Sequence, residues 1–132
     1  VIYCENQFLL QLRDNKKSIN SPNHWGLFGG KIEKKETAKK ALFRELAEEL
    51  EFRPKKVSFL GEISYRRHIN SRLMRNKKFY SIPIIPSEIK KMRLHEGQKF
   101  ELHRIENIVK TERLVYWDYF GVFLQYRKFL ES

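Results

Sequence analysis

The sequence predicts an α+β domain, a mixed β-sheet sandwiched between α-helices. Three observations carry the prediction. Short runs of strand-forming residues recur along the chain, bounded by turn residues. One segment, 37–50, repeats its apolar residues at the period of an amphipathic helix. Strands and helices do not alternate in the regular way of a parallel α/β fold. The 132 residues suit one domain, expected to span 1–132.

Val1 to Cys4 and Gln7 to Arg13 read as a hairpin turning at Glu5-Asn6. Asp14 to Asn23, polar and holding Pro22, reads as a loop. Trp25 to Phe28 is a short apolar segment ending in Gly29-Gly30. Thr37 to Leu50 places Ala38, Ala41, Leu42, Leu46 and Leu50 on one stripe, with Thr37 as the expected N-cap and Pro54 beyond the helix end. Val57 to Ile69 reads as a strand, Asn70 to Asn76 as a basic loop, and Lys77 to Ile85 as a strand that Pro83 pushes to a sheet edge. Met92 to Leu102 reads as strand, turn at Glu96-Gly97, and strand. The aromatic stretch from about Arg113 to Leu130 reads as a C-terminal helix.

Composition excludes several classes. Apolar residues are 41% and charged residues 33%, the balance of a globular chain rather than a disordered one. No apolar run reaches the ~18 residues of a membrane span, and no signal peptide is visible. The chain opens on Val1 rather than Met, which leaves its native start open. The single cysteine, Cys4, lies in an apolar stretch and is expected in the core. It forms no internal disulfide, which fits a cytoplasmic setting. A formal charge of +11 favours anionic partners, nucleotides or nucleic acid among them.

The second face of the 37–50 helix carries the chemistry. Glu45, Glu48 and Glu49 stand at i, i+3 and i+4, so their side chains leave one face. They lie in the helix's C-terminal half, where the macrodipole also disfavours anions. A hard divalent cation such as Mg²⁺ or Mn²⁺ would relieve that repulsion. A solvated acidic face remains the alternative on the helix alone. The Gly29-Gly30 pair lets backbone approach a ligand and offers a carbonyl oxygen.

The spacing ties these features together. Gly30 is followed by five residues, Glu36, seven residues, Arg44-Glu45-Leu46-Ala47-Glu48-Glu49 and Leu50-Glu51-Phe52. This string resembles the Nudix box, and the chain is identified as a member of that family, similar to its small MutT-like members. Glu51 stands where the family has glycine. Trp25 to Gly30 is similar to the family's Trp-x-Leu-Pro-Gly-Gly lead-in, with Phe28 in place of proline. Lys34-Lys35 stand where Pro-Gly is frequent.

The resemblance implies the Nudix fold and a hydrolase acting on phosphoanhydride bonds. Its substrates are nucleoside triphosphates, oxidised guanine nucleotides among them, or other nucleoside diphosphate derivatives. It implies Mg²⁺ or Mn²⁺ held by Glu45, Glu48, Glu49 and the Gly30 carbonyl. Glu36 and Arg44 would be a supporting pair, and Glu45 or Glu96 the general base. Nucleotide-sugar or dinucleoside-polyphosphate hydrolysis, and a nucleotide- or RNA-binding module without turnover, remain alternatives. Trp25, Phe28 and Tyr80 are candidates for stacking on a nucleobase. Arg66, Arg67, Arg72, Arg75, Lys77 and Lys78 form a basic segment able to meet phosphates or RNA. Tyr116, Trp117, Tyr119, Phe120 and Phe123 read as core or as a homodimer contact. His24, His68, His95 and His103 show no metal spacing and receive no role.

Overall fold

The computed structural model describes residues 1–110 and 113–132. β1 (Ile2–Cys4) and β2 (Gln7–Leu12) form the expected hairpin. The run Phe8-Leu9-Leu10 is apolar without alternation, the mark of a strand covered on both faces. β2 is indeed central. One edge pairs along its whole length with β6 (Lys99–Arg104), from Gln7↔Arg104 to Leu12↔Lys99. The other edge pairs first with β1, then with β3 (Trp25–Gly26). β1 runs parallel to β5 (Met74–Pro83), which pairs antiparallel with β4 (Ser58–Arg66). The order is β3-β2-β1-β5-β4, with β6 on the far side of β2, and the sheet is mixed as predicted.

Helices cover both faces. α1 (Ala38–Leu50) lays Leu46 and Leu50 on Ile2, Cys4, Leu9, Ile82 and Ile84. α4 (Asp118–Glu131) and α3 (Ile105–Lys110) bring Val122 and Ile108 against Phe8, Leu10 and Phe79 on the opposite face. Cys4 is buried in the first of these layers. Gly121 lets α4 seat closely, because a Cβ there would stand 2.5 Å from the Phe79 ring.

α1 begins where the sequence places it, with Thr37 Oγ1 accepting the Lys40 N–H at 3.2 Å. Its end is made without glycine. Glu51 adopts the left-handed conformation (φ 51°), and its N–H closes on the Ala47 carbonyl. Lys35 is left-handed too (φ 68°). Both places where the family pattern has glycine thus keep the backbone that glycine favours, with a charged residue in it.

Four expectations are corrected. β5 is an internal strand, so Pro83 is not at a sheet edge. The bonds to β1 come from the Ile82 and Ile84 N–H groups, and the nitrogen of Pro83 lies beyond the last β4 pair, Ser58↔Ser81. The basic loop lies at 67–73 rather than 70–76, because β4 ends at Arg66 and β5 already starts at Met74. Met92 to Leu94 is not a strand. It follows a short helix, α2 (Pro86–Lys91), started by Pro86 and by Glu88 accepting the Ile85 N–H at 3.1 Å. The C-terminal helix begins at Asp118 rather than near 113. Before it, Leu114 forms a parallel bridge with Trp25 of β3, where the Arg113 carbonyl takes the Trp25 N–H and the Trp25 carbonyl takes that of Val115.

Candidate active site

α1 presents its glutamates to the segment that leaves β3. Glu45 and Glu49 turn inward, with the Glu45 side chain 16% exposed and Glu49 buried. Glu49 Oε2 accepts the Gly29 N–H at 3.3 Å. Gly29 has φ +140°, open to glycine alone, and a Cβ on Gly30 would fall on the Glu45 carboxylate. The double glycine therefore answers two separate needs, a backbone angle and a close approach. Asp118 at the start of α4 anchors the same segment by accepting the Leu27 N–H at 2.9 Å, and it is itself paired with Lys77.

Arg44 organises the outer side. Its Nε and Nη2 grip the two oxygens of Glu36 at 2.7 and 2.9 Å, a bidentate fork. Nη1 reaches Glu45 Oε1 at 2.9 Å and Glu48 Oε2 at 3.5 Å, and Nη2 also meets the Lys31 carbonyl at 3.0 Å. The Arg44 hydrogen bonds, joined by the Glu33 backbone, hold the Glu36 carboxyl down at about 2. The same carboxylates raise the Arg44 pKa.

Glu49 is the electrostatic anomaly. Burial, with the charges of Glu45 and Glu96 beside it, pushes its carboxyl up to about 8, against the single Gly29 bond that favours ionisation. Arg44 is fully engaged by its neighbours. A buried carboxylate facing two others, with the Gly29 N–H as donor and no cation paired to it among the described residues, fits a divalent ion. Among the described residues no three His, Cys, Asp or Glu side chains stand together as a finished metal cage. Mutual repulsion accounts for the opening, since the Glu48 side chain is 61% exposed and leans to Arg44. Two open hollows of about 440 Å³, one beside Lys39 and Lys56 and one beside Arg104 and Leu130, share no residue with this cluster.

Glu96 is brought to the cluster by the loop between α2 and β6. The Arg93 and His95 N–H groups bind the Leu50 and Glu49 carbonyls at 3.0 and 2.9 Å, answering open acceptors at the end of α1. His95, given no role from sequence, has its Nε2 at 2.6 Å from Glu51 Oε2. The aromatic candidates are scattered. Phe28 is buried in the α1-side core. Trp25, on β3, stands edge-on to His103 at 4.4 Å with the Lys99 ammonium over its ring at 5.7 Å. Tyr80, on β5, faces Phe59 at 5.6 Å, with β2 and β1 between it and Trp25. Lys77 and Lys78 of the basic segment are paired, to Asp118 and to Glu62, while Arg66, Arg67, Arg72 and Arg75 lie exposed. Trp117 stacks on Tyr65 at 4.2 Å, and Tyr119 packs into the α4-side core. Asp118 was missed as an anchor because a lone acid in an aromatic helix carries no periodic signal.

A mixed sheet between helices, with a glutamate-bearing helix closed against a double glycine, defines the Nudix class of domain. The family model described as the NUDIX domain matches residues 1–119, and the chain belongs to that family. Nudix hydrolases generally use divalent metals. Solved structures share the fold. The NUDIX domain of Shewanella oneidensis NrtR, complexed with ADP ribose, superposes with a TM-score of 0.75 at 15% identity, covering 97% of this chain and 83% of that one. The MutT NUDIX hydrolase from Burkholderia pseudomallei gives 0.73 at 18% identity, covering 93% and 95%. A C. elegans Ap4A hydrolase in a binary complex gives 0.64 at 19% identity, covering 99% and 95%. At these identities the likeness is one of fold. No curated protein matches the sequence. No helix among the described residues is long and apolar enough to cross a membrane.

Proposed function

We propose that this domain is a divalent-metal-dependent pyrophosphohydrolase, cleaving a phosphoanhydride bond in a nucleoside triphosphate or another nucleoside diphosphate derivative. One observation carries the reading: Glu49 is a buried carboxylate beside Glu45 and Glu96, with its pKa raised and no cationic side chain paired to it among the described residues. Structural carboxylates in that position are normally paired.

Glu45, Glu48, Glu49 and the Gly30 carbonyl would hold Mg²⁺ or Mn²⁺. An ion held there would supply charge neutralisation at phosphate oxygens and a more acidic attacking water. The chain's own groups do the rest. The Arg44 fork fixes Glu36 and restrains Glu45, which keeps one ligand oriented before substrate arrives. Glu49 is held by the Gly29 N–H. Glu96 or Glu45 accepts the proton of the water attacking phosphorus at a carboxylate oxygen. Trp25 is a partly buried aromatic ring with the Lys99 ammonium over it, a pairing suited to a base and its phosphate. Phe28, closed into the core, is a packing residue.

A panel of nucleoside triphosphates, oxidised guanine nucleotides, nucleotide sugars and dinucleoside polyphosphates tests this, each with Mg²⁺ and with Mn²⁺. Release of pyrophosphate, phosphate or sugar phosphate is scored. Cleavage of at least one member is expected. If none is cut while a nucleotide still binds, the domain is a ligand-binding module and the hydrolase reading fails.

A further inference from the structure

We infer that Glu51 and His95 form a latch that positions the loop carrying Glu96 against the carboxylate cluster. The inference deepens the proposed hydrolase function and rests on it for its catalytic consequence.

The loop is fixed at two places. At β2, Gln11 Nε2 donates to the Glu96 carbonyl at 2.5 Å, and the Gln98 N–H reaches the Leu12 carbonyl at 2.8 Å. Gly97 makes the turn with φ +91°, and a Cβ there would strike the Gln11 side chain. At α1, the Arg93 and His95 amides bind the Leu50 and Glu49 carbonyls. Between these anchors stands Glu96, whose charge is felt at Glu49. The contact of Glu51 Oε2 with His95 Nε2 at 2.6 Å is the side-chain tie between the helix end and this loop.

The residue that makes the tie sits in a conformation that resists it. Glu51 is left-handed, which a residue with a Cβ adopts against a penalty and glycine adopts freely. Glycine at this position would end the helix more easily but would leave His95 without a partner. Both side chains are about half exposed, at 54% and 51%, so the pair adds little global stability. Its effect falls on the occupancy of the loop, and through the loop on Glu96. Glu51 and His95 are therefore positioning residues, acting through a group that faces the reaction.

The test replaces Glu51 with glycine. Amide hydrogen exchange is read at Arg93 and His95 in protein held in a chelator, beside Tm. Losing one hydrogen bond is expected to speed exchange at both amides about fivefold. Tm does not fall, because glycine relieves the left-handed strain. His95→Ala, which leaves residue 51 untouched, gives the same acceleration, and Glu51→Gly with His95→Ala gives no more than either alone. Glu51→Gln restores the wild-type exchange by keeping an oxygen acceptor. In turnover with Mg²⁺ on the substrate cut fastest, Glu51→Gly lowers kcat about fivefold with KM unchanged. Unaltered exchange overturns the latch. Faster exchange with unaltered kcat overturns its positioning role. If wild-type protein cuts no substrate, the proposed function fails, and the exchange data alone still decide whether the latch exists.

Discussion

Replacing Glu49 with glutamine, in protein stripped of divalent cations, probes the burial of that carboxylate. In the folded chain its pKa is raised from 4.5 to about 8, chiefly by burial. As pH rises through this window the unfolded chain releases the proton first. The folded state then binds more protons than the unfolded state, so stability is greatest below about 4.5 and falls toward 8. At about 1.4 kcal/mol for each pH unit, the loss has an upper bound of about 5 kcal/mol. Sharing of the proton with Glu45 and water entry bring the expected loss nearer 2–3 kcal/mol. Glutamine carries no charge and removes this slope. Urea unfolding in a chelator at pH 5 and pH 8 measures it. The buried Val1 amine, lowered from 8.0 to about 5, titrates with the opposite slope in both proteins, so the difference between them is what counts: from pH 5 to pH 8 wild-type protein is expected to lose stability relative to Glu49→Gln, which is the more stable at pH 8. Added Mn²⁺ should remove the wild-type deficit, since a bound cation favours the ionised form. Equal pH slopes in the two proteins would refute the placement of an uncompensated carboxylate at this position.

Other substitutions address the remaining parts of the site. Gly30→Ala drives a Cβ into the Glu45 carboxylate and should lower kcat about a hundredfold with the far-UV spectrum unchanged. Arg44→Lys keeps the charge but breaks the fork on Glu36, and turnover should fall roughly tenfold in steady-state kinetics. Lys35→Gly relieves a left-handed backbone at φ 68° and should raise stability by about 1 kcal/mol in denaturant unfolding, with activity intact. Asp118→Asn weakens the pair that buried Asp118 makes with partly exposed Lys77 while sparing the Leu27 contact, and should destabilise by about 1–2 kcal/mol in the same assay.

What the sequence made legible was periodic or local. α1 is long enough for its 3.6-residue stripe to show, and Thr37 caps it as a threonine should. The β1–β2 hairpin follows from strand formers around Glu5-Asn6. α2 and α3, six residues each, are too short for periodicity to register. Leu114 and Val115 are apolar like the helix that follows, and only the pairing with Trp25 separates the two. Pro83 argues for an edge by its missing N–H, yet register turned that missing donor away from β1. At the site, spacing brought Glu45 and Glu49 to the double glycine and Arg44 to Glu36. The side-chain directions were not legible, because the outward lean of Glu48 and the His95–Glu51 contact depend on tertiary geometry.

A crystal soaked in manganese, with anomalous difference density calculated at the manganese edge, tests the central claim most directly. A peak bonded to carboxylate oxygens of Glu45, Glu48 and Glu49 is expected, with Glu48 drawn back from Arg44. A map with no peak there, and with those side chains left as Arg44 and Gly29 now hold them, would contradict it.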